Sequence, residues 1–148
     1  MKIVIASDHA GVELKQKIIA HINSTKGKVI EVIDLGPATS ANSVDYPDYA
    51  VLVCKQVQED LNTKGILICG TGVGMSIAAN KFNSIRASLC TDTFSARMTR
   101  MHNDSNVLCL GARVTGDGLA LDIVDIWINT EFEGGRHLNR INKISKIR

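Results

Sequence analysis

The sequence predicts an α/β sandwich, one parallel sheet covered by helices on both faces. Three observations carry that expectation. Short apolar runs of strand type alternate five times with stretches of helical periodicity, at spacings of roughly 20–40 residues. Two of those runs, Ile3-Val4-Ile5-Ala6 and Ile66-Leu67-Ile68-Cys69, are apolar throughout, as a strand buried on both faces requires. The turns after them are polar or glycine-rich, Asp8-His9-Ala10-Gly11 and Gly70-Thr71-Gly72-Val73-Gly74. With no internal repeat, linker or low-complexity stretch, residues 1–148 read as a single domain, long enough for one substantial core.

Taken in order, Lys2 to Ser7 reads as a buried strand. A helix follows from about Val12 to Asn23, with Leu14, Ile18, Ile19 and Ile22 on one face. Lys28 to Leu35 is the second strand, bounded by Gly27 and by Gly36-Pro37. After a polar loop over 36–45, Pro47 suits a helix start, and Ala50 to Leu61 continues it with Val53 and Val57 inward. The central strand ends at Cys69, and Ser76 to Phe82 reads as the helix beyond the glycine loop. Arg86 to Thr91 is the fourth strand, and Asp92 or Thr93 caps a helix running to about Met101. Asn106 to Gly111 is the fifth strand, Thr115 or Asp117 opens a helix through Trp127, and a last basic helix follows Glu133-Gly134-Gly135-Arg136.

Composition narrows the function. No apolar run approaches the roughly 20 residues of a membrane span, and Lys2 to Ala6 is too short for a secretory segment, so a cytoplasmic protein is expected. The net charge of +2 hides a basic tail: residues 136–148 carry Arg136, Arg140, Lys143, Lys146 and Arg148 and no acid. Elsewhere 12 basic residues face 15 acidic ones, which suits one localised anion contact and no nucleic-acid surface. Aromatic content of 4% leaves no stacking platform for single strands. Cys54, Cys69, Cys90 and Cys109 have no Cys-x-x-Cys spacing and no nearby histidine to share a metal, so they read as free thiols.

The stretch 65–82 is the chemical centre of the chain. A strand, a glycine-rich turn and a helix start form an anion cradle, with N–H groups accessible and the helix dipole favouring negative charge. The loop lacks the spacing of a dinucleotide fingerprint and the Gly-Lys-Ser/Thr ending of a P-loop. Cys69 stands at its lip, where a thiolate would be stabilised.

Each candidate also has a plainer reading. Cys69 can be a structural thiol, His9 a turn histidine bonded to Asp8, and His102 a helix-end residue attracted to the dipole. Arg136 and Arg140, at i and i+4, either clamp a phosphate or form a solvated face, and Tyr46 can simply pack. Together they offer a carbon base, an oxyanion cradle with the Thr71 hydroxyl inside it, two histidines and several arginines. That set suits proton abstraction beside a carbonyl in a small phosphorylated substrate. Asp8, His9, Cys69 to Gly74 and Arg113 follow strand C-termini, where ligands bind in open α/β sheets. His102 and Asn103 precede the fifth strand, at the opposite edge, and reach the site only by a long excursion or from a neighbouring subunit.

The motifs resemble the ribose-5-phosphate isomerase B family, which also includes the galactose-6-phosphate isomerase subunits. The likeness runs through Ser7-Asp8-His9-Ala10-Gly11, Ser43-Val44-Asp45-Tyr46-Pro47-Asp48-Tyr49-Ala50 and Ile68 to Gly74. It continues in His102-Asn103-Asp104, Gly111-Ala112-Arg113 and Glu133-Gly134-Gly135-Arg136-His137. The resemblance implies a Rossmann-like three-layer α/β/α sandwich with a five-stranded parallel sheet and a basic C-terminal helix. It also implies a homodimer, in some members a tetramer, with active sites shared between subunits, and isomerisation without metal or cofactor.

Carried over by position, Cys69 is the proton-transferring base between C1 and C2, and the amides of Gly70, Thr71, Gly72, Val73 and Gly74 with the Thr71 hydroxyl stabilise the enediolate. His102 is the acid that opens the furanose ring, Asp8 and Asn103 contact sugar oxygens, and Tyr46 lines the pocket. His9, Arg113, Arg136 and Arg140 match phosphate-binding positions. One branch of the family carries a glutamate base inside the loop; Met75 stands there in this chain, which resembles the cysteine type.

The expected activity is interconversion of D-ribose 5-phosphate and D-ribulose 5-phosphate through an enediolate, a reaction of the non-oxidative pentose phosphate pathway. The alternatives are isomerisation of allose or galactose 6-phosphate and a non-catalytic sugar-phosphate sensor. A nucleotide-binding or flavodoxin-like module is disfavoured by the missing fingerprint.

Overall fold

A computed structural model describes residues 1–25, 27 and 29–147. Five parallel strands form the sheet: β1 (Lys2–Ser7), β2 (Glu31–Asp34), β3 (Thr63–Cys69), β4 (Ala87–Leu89) and β5 (Val107–Gly111), in the order β2-β1-β3-β5-β4. Six helices connect and follow them: α1 (Val12–Ser24), α2 (Tyr46–Glu59), α3 (Val73–Ala79), α4 (Thr93–Asn103), α5 (Asp117–Asn129) and α6 (Arg136–Ile144). The α/β sandwich read from the sequence is the fold observed.

Alternation along the central strands divides the core. Ile66 and Ile68 of β3 join Ile3, Ile5, Leu108 and Leu110 under α1, α5 and Ala96 of α4. Leu67 and Cys69 face the other way, with Val4, Ala6, Val107 and Cys109, under α2 and α3. Trp127 of α5 is fully buried, and its indole N–H donates to the Ser105 hydroxyl at 3.3 Å.

Several boundaries differ from the sequence expectation, those of β2, β4 and α3 among them. β2 pairs only over Glu31–Asp34; Lys28, where the strand was expected to begin, lies outside the described residues, as does Arg148 of the basic tail. α3 begins at Val73, three residues earlier than read, because Gly72 takes φ +78° and its carbonyl already accepts the Ser76 N–H at 3.0 Å. Gly74 thus sits inside the helix and not in the turn before it.

The chain winds outward from β1 to β2, then crosses to β3 on the other side. The strand order therefore reverses between β1 and β3, the crevice where open α/β sheets bind ligands. The Asp8 N–H donates to the Ile68 carbonyl at 3.0 Å, tying the two C-terminal ends together. Asp8 and Cys69 stand at those ends.

Candidate active site

Cys69 ends β3 with its side chain turned to the α2/α3 face and only 5% exposed. Its Sγ accepts the Gly72 N–H at 3.1 Å. Glycine is obligatory at 72: besides the left-handed φ, a Cβ would lie 2.5 Å from Leu89 Cδ1 and 2.9 Å from the Leu110 carbonyl carbon. The Thr71 oxygen accepts the Val73 N–H at 3.4 Å, which leaves its O–H to donate outward. The first N–H groups of α3 have no intrahelical acceptor, as at any helix start, and they line the same loop.

Four expected residues surround this cradle. Asp8 caps the single 3-10 turn His9–Gly11, one carboxylate oxygen accepting the N–H groups of Ala10 (2.9 Å) and Gly11 (3.2 Å). His9 Nδ1 accepts the Val44 N–H at 3.2 Å, so the neutral ring carries its proton on Nε2, the form that donates to an anion. The Tyr46 ring lies flat against Gly74, where a Cβ would come within 2.7 Å of Cζ. The Arg113 side chain crosses Gly70, with Nη1 3.5 Å from the position a Cβ would take. Its backbone N–H donates to the Gly70 carbonyl at 3.0 Å, and that of Ala112 to Cys69 at 2.9 Å, fixing the loop to the end of β5.

The other expected residues gather elsewhere. His102 and Asn103 occupy the last turn of α4, just before β5, whereas Cys69 pairs with Gly111 at the far end of that strand. Roughly 13 Å of strand separates the two ends, at about 3.3 Å per residue. Arg136 and Arg140 lie exposed on α6, which packs against α4, and the Glu133 N–H donates to the Met101 carbonyl at 3.1 Å. One chain therefore places the candidate residues in two groups, the cradle at one end of the sheet and His102, Asn103, Arg136 and Arg140 at the other.

Several supporting residues were not evident from the sequence. Lys15 of α1 is wholly buried, and Nζ donates to Asp34 Oδ1 (2.6 Å) and to the Pro37 carbonyl (2.7 Å), fixing the start of the 36–45 loop that carries Val44 to His9. Asp104, at φ +46°, accepts from Arg86 (2.8 Å) and Arg100 (2.9 Å), and Arg100 also donates to the carbonyl of Ser105, which locks the turn after Asn103. The His137 ring stacks on His102, centroids 4.3 Å apart and planes 10° from parallel. A lysine within an apolar helix face and a histidine one turn after Glu133 were the available signals.

Burial also separates the cysteines. It pushes the thiols of Cys54 and Cys90 up to about 12 and that of Cys109 well above the ordinary range, so all three are protonated at neutral pH. Met75, at the position of the alternative base, is fully buried in the α2/α3 core. Among the described residues, one trio has donor types suited to a metal, His102, Glu133 and His137, with ligand atoms within 4.8 Å of one another. Imidazole lone pairs lie in the ring plane, so two parallel stacked rings cannot both aim at one ion about 2.0–2.1 Å away.

Comparison with known proteins gives the geometry a context. The sequence model for the family described as Ribose/Galactose Isomerase matches residues 3–144. The chain is similar to ribose-5-phosphate isomerase B of Escherichia coli, 49% identical over 99% of this chain and 95% of the relative. It is 53% identical to a putative sugar phosphate isomerase of Bacillus subtilis, over 98% and 95% of the two chains. Among solved structures, ribose-5-phosphate isomerase B of Clostridium thermocellum superposes with a TM-score of 0.92 at 51% identity, covering 99% and 96% of the chains. The Mycoplasma genitalium enzyme of that name, solved with bound ribulose 5-phosphate, gives 0.91 at 44% identity, covering 98% and 94%.

Proposed function

Because this chain belongs to the ribose/galactose isomerase family, we propose that it is an aldose–ketose isomerase interconverting D-ribose 5-phosphate and D-ribulose 5-phosphate. The observation that carries the chemistry is the Gly72 N–H on Cys69 Sγ at the lip of the loop. A thiolate there removes the C2 proton of the open-chain aldose, and the C–H electron pair moves toward the C1 carbonyl oxygen. The resulting enediolate is held by the loop amides and the Thr71 hydroxyl, donors fixed before charge develops. A proton passes between O2 and O1, and the Cys69 thiol returns its proton to C1. No redox cofactor or metal is required.

His102 donates to the ring oxygen when the furanose opens. Arg113 and His9 on the cradle side, with Arg136 and Arg140 of α6, bind the phosphate, so that remote binding energy serves the reacting end. Bringing the two groups together calls for a second protomer, whose α4 and α6 supply His102, Asn103, Arg136 and Arg140. The active unit in this reading is a homodimer, alone or within a tetramer. Four free thiols suit a cytoplasmic enzyme, and among the described residues no helix is long and apolar enough to cross a membrane.

The test is ribulose 5-phosphate formation from ribose 5-phosphate by the EDTA-treated protein, beside allose 6-phosphate. Turnover of the pentose with the higher kcat/KM supports the reading. Preference for the hexose reassigns the substrate, since one CH–OH unit is worth only about 1–3 kcal/mol in a pocket. Tight binding without turnover marks a sensor.

A further inference from the structure

We propose that His137 is a positioning residue for His102, its buried imidazole holding the His102 ring face to face in one orientation. This rests on the isomerase reading above and adds a residue to it. The two rings belong to different helices, α4 and α6, yet lie 4.3 Å apart and within 10° of parallel. His137 is 4% exposed, whereas His102 is only partly buried, so the buried ring is the fixed member and the other leans on it.

Glu133 completes the mount. Its backbone N–H is pinned to the Met101 carbonyl at 3.1 Å, one residue before His102. Its carboxylate Oε2 lies 3.3 Å from His137 Nε2, a nitrogen that makes no hydrogen bond. Sidedness of charge follows from the surroundings. Burial together with His102, Arg136 and Arg140 disfavours a proton on His137, against the opposing pull of Glu133. Two stacked imidazoliums repel, while an imidazolium over the face of a neutral ring is attracted to it. The inner ring therefore stays a neutral, flat support for the outer one, the ring that faces a furanose oxygen in the proposed reaction.

Ring opening and enolisation can be read separately, and this gives the test. Ribulose 5-phosphate has its O5 blocked by phosphate and stays open-chain, so exchange of its C1 hydrogen in D2O needs the cradle but no ring-opening acid. In the full-length protein, H137Q should lower kcat for ribose 5-phosphate at least about tenfold, change KM less than threefold, and leave the exchange rate within twofold. H137F, which keeps a flat partner that cannot be protonated, should recover at least half of the lost kcat. A kcat for H137Q within twofold of wild type overturns the inference. So does a parallel fall of turnover and exchange, or a tenfold rise in KM, either of which marks His137 as packing that seats Arg136 and Arg140. If the wild-type protein exchanges no C1 hydrogen and converts no ribose 5-phosphate, the isomerase reading itself fails, and this role with it.

Discussion

Replacing Gly111 by alanine sets a methyl group against the outer wall of the cradle. Its Cβ would stand 2.6 Å from the Thr71 carbonyl oxygen, 2.7 Å from that carbonyl's carbon and 2.9 Å from Thr71 Cα. Ordinary contact begins at 3.4 Å, and all three atoms are backbone, so no side chain can swing aside. The 70–74 loop must retreat by about 0.8 Å, at an overpacking cost of about 1–3 kcal/mol. The amides proposed to hold the enediolate move with it, and a misplacement near 1 Å costs on the order of 10²-fold in rate. Gly111→Ala should therefore lose roughly 10–100-fold in kcat with a much smaller change in KM, because the phosphate contacts proposed for Arg113, His9 and α6 are left in place. Gly116→Ala, whose added Cβ meets nothing within 4 Å, is the control. Steady-state kinetics with thermal unfolding of both variants decide the matter. A Gly111→Ala enzyme that folds and keeps kcat within twofold refutes the preorganised cradle.

Native protein at pH 8 should react with one equivalent of a small thiol reagent, at Cys69, because burial pushes Cys54 and Cys90 up to about 12 and Cys109 well above its ordinary range; mass spectrometry finding a second modified cysteine before unfolding contradicts this. Those raised values also favour folding fully below the ordinary cysteine range near 9 and progressively less as pH climbs toward 12, so denaturant midpoints should fall across that window, and a midpoint flat to pH 11 argues against it. Lys15→Met keeps the buried stem but removes two charge-assisted bonds, which should cost about 2 kcal/mol and expose the 36–45 loop to proteolysis; unchanged melting and cleavage deny it an anchoring role. Co-expressed Cys69→Ala and His102→Ala chains should recover about one quarter of wild-type activity, since half of randomly mixed dimers contain one intact shared site; no recovery places both residues in one chain's site.

Much of this was legible because strand and turn signals are local. Ile66-Leu67-Ile68-Cys69 announces a buried strand, the glycines after it announce a cradle, and Asp8, His9, Tyr46 and Arg113 fall at the loops that such a sheet brings together. Local signals failed where tertiary packing decides. Gly74 looks like a helix breaker, yet it lies inside α3 because the Tyr46 ring occupies the space a side chain would need. Lys15 looks solvent-facing until Asp34, nineteen residues on, accepts it beneath the loop. The His102–His137 stack joins residues 35 apart on helices whose packing no periodicity encodes. The separation of the two groups was readable, because residues before a strand and residues after its neighbour must lie at opposite sheet edges.

The most direct test of the central idea, that Cys69 is the carbon base within a backbone cradle, is C1 hydrogen exchange of ribulose 5-phosphate in D2O, followed by NMR, for wild type and Cys69→Ala. A general base is worth about 10²–10⁴ in rate, so the variant should exchange at least about 10²-fold more slowly while still binding the sugar phosphate. Exchange at the wild-type rate in Cys69→Ala would assign the proton transfer to another group and leave the Gly72 N–H on Cys69 without a catalytic purpose.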